Sequence, residues 1–172
     1  VKVFENLSGV WTQIGQDIYG FDTNDFFGNY VKVNSDGSVV AIAAHGHFSY
    51  RGYVSIFEKI YGSWSQIGQS LMGEEAGCNF GVSIDICSNG SIVAIGANND
   101  GNARGEVEVY ENISGTWTQI GNDIHGEVIG DIFGTSVSLS NDGSIVAIAA
   151  PTDSYYSGNR KGYVRVFSSS VS

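Results

Sequence analysis

Trp11-Thr12-Gln13-Ile14-Gly15, Trp64-Ser65-Gln66-Ile67-Gly68 and Trp117-Thr118-Gln119-Ile120-Gly121 are one phrase written three times at a constant interval of 53 residues. The register holds well beyond the phrase, with identical residues at Gly9/Gly62/Gly115, Phe27/Phe80/Phe133, Gly28/Gly81/Gly134, Gly37/Gly90/Gly143 and Val40/Val93/Val146. A period of this length marks a propeller, solenoid or array, in which each unit hides its apolar face only against its neighbours.

Outward from the tryptophan, each unit alternates between strand and turn. Upstream lies Val-x-Val/Ile-Phe/Tyr, at Val1–Phe4, Val54–Phe57, Val107–Tyr110 and Val164–Phe167, with Lys2, Ser55, Glu108 and Arg165 on the opposite face. That is the period-2 pattern of a half-buried strand. A turn containing Gly9, Gly62 or Gly115 leads into the tryptophan strand, and a polar, acidic loop then runs to Phe-Gly. In the next strand Val31 and Val33 match Ile84 and Ile86, then Val137 and Leu139. Asp36-Gly37, Asn89-Gly90 and Asp142-Gly143 predict two-residue type I′ hairpins, because both positions there need positive φ. The last strand, Ser-x-Val-Ala-Ile-x-Ala, is apolar on both faces and so predicts burial between layers.

Four antiparallel strands per repeat predict an all-β chain of β-propeller-type blades, three 53-residue repeats of one domain spanning 1–172. The units run approximately 1–53, 54–106 and 107–163, with a final strand at 164–167 and a Ser-rich tail at 168–172. The alternative, a sandwich of about a dozen strands, leaves the matched columns unexplained. If the Phe-Gly strand is innermost, the chain holds two whole blades and an incomplete one at each end. The ring is then not closed by this chain alone, and the unpaired edges predict association with other copies or flanking repeats.

Composition narrows the function classes. Eight basic against eighteen acidic residues give a net charge of −10, which disfavours nucleic acid and anionic membrane as partners. Apolar runs are short and broken by glycine or serine, so no segment predicts membrane insertion as a helix. The chain opens inside a strand-like run, as a mature product or an excerpt would.

With Phe27-Gly28, Phe80-Gly81 and Phe133-Gly134, the Val-Ala-Ile-x-Ala strand and Ala149-Ala150-Pro151, the chain resembles the FG-GAP family of β-propeller repeats, known from integrin α-subunits and secreted bacterial and algal proteins. Its Trp-x-Gln-Ile-Gly variant is similar to a subgroup in large extracellular repeat proteins of flavobacteria and microalgae. The resemblance implies an extracellular or cell-surface location and a non-enzymatic structural or adhesive role. The alternative it leaves is a carbohydrate- or calcium-dependent binding module. Many blades of that family carry a calcium loop of alternating aspartates, but the turns here are too poor in carboxylates for one. Asp22 and Asp25, Glu74 and Glu75, or Glu127 and Asp131, in the loop before Phe-Gly are the weaker metal candidates, set against ordinary solvated charge, and Asn98-Asn99-Asp100-Gly101-Asn102 is set in the same way against an ordinary polar turn.

Cys78 and Cys87 flank the Phe-Gly strand of one repeat, and nine extended residues span about 30 Å, beyond the reach of a disulfide. They are therefore candidates for bridges to neighbouring subunits, or else ordinary thiols. Asn6, Asn89 and Asn112 begin sequons that suit glycosylated surface turns. The three tryptophans, with Phe27, Phe80 and Phe133, are expected as packing anchors. No catalytic constellation emerges: His45 and His47 lack a third ligand, His125 stands alone, and the acids offer no pair to nominate.

Overall fold

The computed structural model describes residues 1–99, 103–151 and 161–168. The chain is all-β, with four antiparallel sheets, none of which closes on itself. The first sheet is the hairpin of β1 (Phe4–Leu7) and β2 (Val10–Gln13). The second runs β3 (Tyr30–Val33), β4 (Val39–Ala44), β5 (Tyr53–Ile60) and β6 (Ser63–Gln66), with β7 (Leu71–Met72) also on β5. The third repeats it as β8 (Ser83–Ile86), β9 (Ile92–Ala97), β10 (Glu106–Ile113) and β11 (Thr116–Gln119), with β12 (Ile124–His125) on β10. The fourth holds β13 (Ser136–Leu139), β14 (Ile145–Ala150) and β15 (Tyr163–Ser168). The second and third sheets each draw their first two strands from one sequence repeat and their other three from the next.

The core lies between consecutive sheets. Ile18, Val40, Ile42 and Trp64 fill the first gap; Ile56, Leu71, Phe80, Val93 and Trp117 the second; Val107, Phe133, Val146 and Ile148 the third. This explains the doubly apolar strand. Every residue of β4 is buried because sheets cover both its faces, whereas β14 alternates because only one face is covered. All four residues of β3, Val31 and Val33 among them, are exposed.

Two hairpin readings change places. In the turns after β3, β8 and β13 only the glycine has positive φ (Gly37 73°, Gly90 77°, Gly143 74°); Asp36, Asn89 and Asp142 do not. The expected type I′ turns are therefore wider loops, closed by Gly37 N–H donating to the Asn34 carbonyl and by Asp36 Oδ1 accepting from the Ser38 N–H. The two-residue turns with positive φ at both positions are Ser8-Gly9, Tyr61-Gly62 and Ser114-Gly115, joining β1 to β2, β5 to β6 and β10 to β11. The wider loops are bonded from sheet to sheet: Ser35 N–H donates to the Ser88 carbonyl and Ser88 N–H to the Asn141 carbonyl. The one helical stretch among the described residues, His47–Tyr50, has Phe48 and Ser49 at φ 48° and 59°, left-handed backbone that cannot propagate as an ordinary α-helix.

Candidate functional site

The repeat is faithful enough that departures from it locate a site. On β5 and β15, Tyr53 and Tyr163 donate their hydroxyls to Asp25 (2.9 Å) and Asp131 (2.6 Å), carboxylates that also accept backbone N–H groups of their own loops. Each pair latches the acidic loop to its sheet. In the third sheet the tyrosine is replaced by Glu106 and the aspartate by Cys78. One step along the same face, the first sheet pairs Lys2 with Asp17 (3.5 Å) and the second bonds Ser55 to Ser70 (2.7 Å). The third sheet sets Glu108 and Asp123 at those positions, two carboxylates where the others carry an ion pair and a neutral pair.

Strand geometry gathers these substitutions. Glu106, Glu108 and Tyr110 alternate on one face of β10, and Glu106 lies directly across from His125 of β12. His125 Nδ1 is 3.3 Å from Glu106 Oε2, and ligand atoms of Glu106, Asp123 and His125 all lie within 4.8 Å of one another. Glu106 and Glu108 are buried; Asp123 is half-buried and His125 exposed. Glu108 accepts the Tyr110 hydroxyl at Oε2, while its Oε1 is buried without a partner. Burial pushes the Glu108 carboxyl up to about 7, Asp123 and Glu74 adding repulsion against the Tyr110 hydrogen bond. Burial likewise raises Tyr110. Beside this face Glu74, Glu75, Cys78 and Glu106 line a cleft of about 160 Å³. Among the described residues this is the one cluster of three or more His, Cys, Asp and Glu with metal-ligand spacing.

Of the sequence-derived candidates, Glu74, Glu75 and Cys78 line this cleft; the others lie elsewhere. Asp25 and Asp131 are the loop latches described above, and Asp22 faces His47 at 3.7 Å. Glu127 is 3.5 Å from Arg165. Both thiols are free and buried, Cys78 donating to the Arg51 carbonyl and Cys87 to Asn89 Oδ1. A bridge to a neighbouring subunit needs an exposed sulfur, so that expectation is corrected. Asn6 and Asn89 are exposed, but the Nδ2 of Asn112 is buried, which closes that sequon to glycan transfer. Trp64, Trp117, Phe80 and Phe133 are buried anchors and Phe27 is half-buried. Trp11 is 67% exposed, with no described sheet packed over it. Part of the turn Asn98–Asn102 and most of the loop from Ala150 to Gly162 lie outside the described residues. His125 is not isolated, and Glu106, Glu108 and Asp123 escaped sequence reasoning because it searched for motifs, whereas the signal was three substituted columns of the repeat.

No protein-family model and no curated protein matches this chain. Among solved structures it is similar to one described as "a putative 6-phosphogluconolactonase from Bacteroides uniformis", with 11% identity and a TM-score of 0.60 over 96% of this chain. The chain spans half the length of that structure. At this identity the likeness shows the fold alone. It nevertheless corrects the expectation of a non-enzymatic structural or adhesive repeat protein, because this arrangement of sheets is found in a chain described as an enzyme.

Proposed function

We propose that the four sheets are β-propeller blades and that the third carries a divalent-metal centre serving hydrolysis. The propeller reading is supported by the first strands of three consecutive sheets, β3, β8 and β13, lying side by side. They are linked by Lys32 to Asp85 (3.0 Å) and by Leu139 N–H donating to Asp85 (2.8 Å). Radial sheets meeting at their inner strands is the propeller arrangement.

The observation that carries the metal reading is the buried, unpartnered Oε1 of Glu108 beside Glu106, Asp123 and His125. Two carboxylates and an imidazole suit zinc, and three protein ligands leave a position for water, whose pKa the ion lowers. Glu108, buried beside these ligands with one carboxylate oxygen unpartnered, would be the group placed to accept that proton. The solved structure's description names a lactonase, and an ion held here would supply an activated water suited to lactone hydrolysis. Glu74 and Glu75 at the cleft favour a lactone or ester without its own phosphate.

Calorimetric titration with zinc, manganese and calcium tests the centre, alongside hydrolysis of δ-gluconolactone with and without chelator. One zinc per chain, lost in Glu106→Gln and His125→Ala, with chelator-sensitive turnover, is the expected result. No zinc binding sinks the proposal; binding without turnover removes its hydrolytic half and leaves a structural ion.

A further inference from the structure

A cavity of about 540 Å³ lies between the third and fourth sheets. Its apolar wall is Val109, Ile120, Ile124, Leu139, Val146 and Phe167. One repeat earlier the equivalent residues are Ile56, Ile67, Leu71, Ile86, Val93 and Tyr110, and all six pack in the cluster that buries Trp117. Two repeats earlier, Val3, Ile14, Ile18, Val40 and Phe57 pack with Trp64. The cavity is the third member of a series whose first two members each hold an indole.

The filled members share a polar frame. Trp64 Nε1 donates to the Ile14 carbonyl (3.0 Å) and Trp117 Nε1 to the Ile67 carbonyl (2.9 Å). Gln16 and Gln69 each clamp the backbone of their tryptophan, accepting from its N–H and donating to its carbonyl. The counterparts at the cavity are Ile120 and Asn122. A Cβ built on Gly15 would meet the Trp64 ring at 2.6 Å and one on Gly68 the Trp117 ring at 3.0 Å; on Gly121 it meets nothing within 4 Å. The strand that would deliver the indole is also defined. β5 pairs with β6 and β10 with β11, the tryptophan strands, whereas β15, their counterpart, pairs with β14 alone among the described strands.

We propose that this cavity is a tryptophan socket, and that its occupant is a Trp-Thr/Ser-Gln strand of a further repeat unit, adding antiparallel to β15. The indole enters between Val109 and Val146, its N–H meets the Ile120 carbonyl, and main-chain bonds to β15 set the register. This is strand addition with a side-chain anchor. The site is independent of the metal centre, which faces the second sheet.

The probe is the nonapeptide Val-Trp-Thr-Gln-Ile-Gly-Gln-Asp-Ile, the sequence of residues 10–18, titrated into the whole chain. Saturable binding is expected, with a blue shift of the peptide's fluorescence and shifts of the Ile120, Gly121 and Phe167 resonances. Replacing its tryptophan by alanine should weaken binding about 30-fold or more, as loss of a central aromatic anchor does. Gly121→Ala and the half-exposed Ile120→Glu should keep the fold by circular dichroism and lose the peptide. Absence of binding, or binding indifferent to the peptide's tryptophan or to both variants, overturns the proposal. Sedimentation supplies the remaining arm: self-association abolished by Trp11→Ala would make a second copy the occupant and overturn a further repeat unit.

Discussion

At the scale of single residues, Glu108 makes the sharpest prediction. Its folded pKa lies above its unfolded value, so the native state binds more protons between about pH 4.5 and 7 and stability falls as pH rises through that window. The metal-free protein should be about 3 kcal/mol less stable at pH 8 than it would be with this carboxyl unperturbed. Glu108→Gln should remove that slope, read as urea midpoints at pH 5 and pH 8; a variant whose midpoints keep the wild-type slope would show that another group titrates. The tryptophans give a second prediction. Trp117→Ala should cost about 3–5 kcal/mol, while Trp11→Ala should change the same melting curve by less than about 0.5 kcal/mol. The sequence treats the two residues as equivalents. Their difference comes from what stands next to each sheet, which no column of a repeat records. Glu106 and Glu108 were legible in principle, as the acid replacing a tyrosine latch and the acid replacing a lysine or serine. They went unread because the meaning of a column appears only once its cross-strand partner is known.

At the scale of elements, the repeat predicts strand order well, since Val-x-Val-Phe, the Trp phrase and Val-Ala-Ile-x-Ala each become a strand at the same place in successive sheets. Turn chemistry was harder. Asp-Gly and Ser-Gly both supply a glycine, and the side chain of Asp36 prefers to cap Ser38 over entering positive φ, which moves the tight turn to the other hairpin. Tyr61 sits at φ 49° with its side chain wholly in solvent. Tyr61→Asn should therefore raise stability by about 0.5–1 kcal/mol in urea denaturation, because asparagine tolerates that backbone and the ring contributes no burial. A loss of stability would mean that the tyrosine has a role outside the turn.

At the scale of the whole molecule, the gaps between sheets hold both the core and the departures from repetition. The second gap is closed at one end by Trp117 and carries the acidic cluster at the other, so a bound ion would be felt as global stability. Zinc at about 100 times its dissociation constant should add about 2.7 kcal/mol and raise the melting temperature by a few degrees, lost with His125→Ala. An unchanged melting temperature would place zinc elsewhere or nowhere. Under the proposed reading, the repeats supply a frame and chemistry enters where one unit breaks the pattern.

The loop-to-loop hydrogen bonds carry a consequence for dynamics. Ser88 lies in a surface turn, yet its amide is donated across to Asn141 and its carbonyl receives Ser35, so it can open only if neighbouring sheets part. In deuterium exchange its proton should be retained as long as those of the inner strands, and far longer than those of the tight hairpins at the rim. The molecule would then breathe at its tight hairpins while the belt of loops bonded from sheet to sheet stays shut.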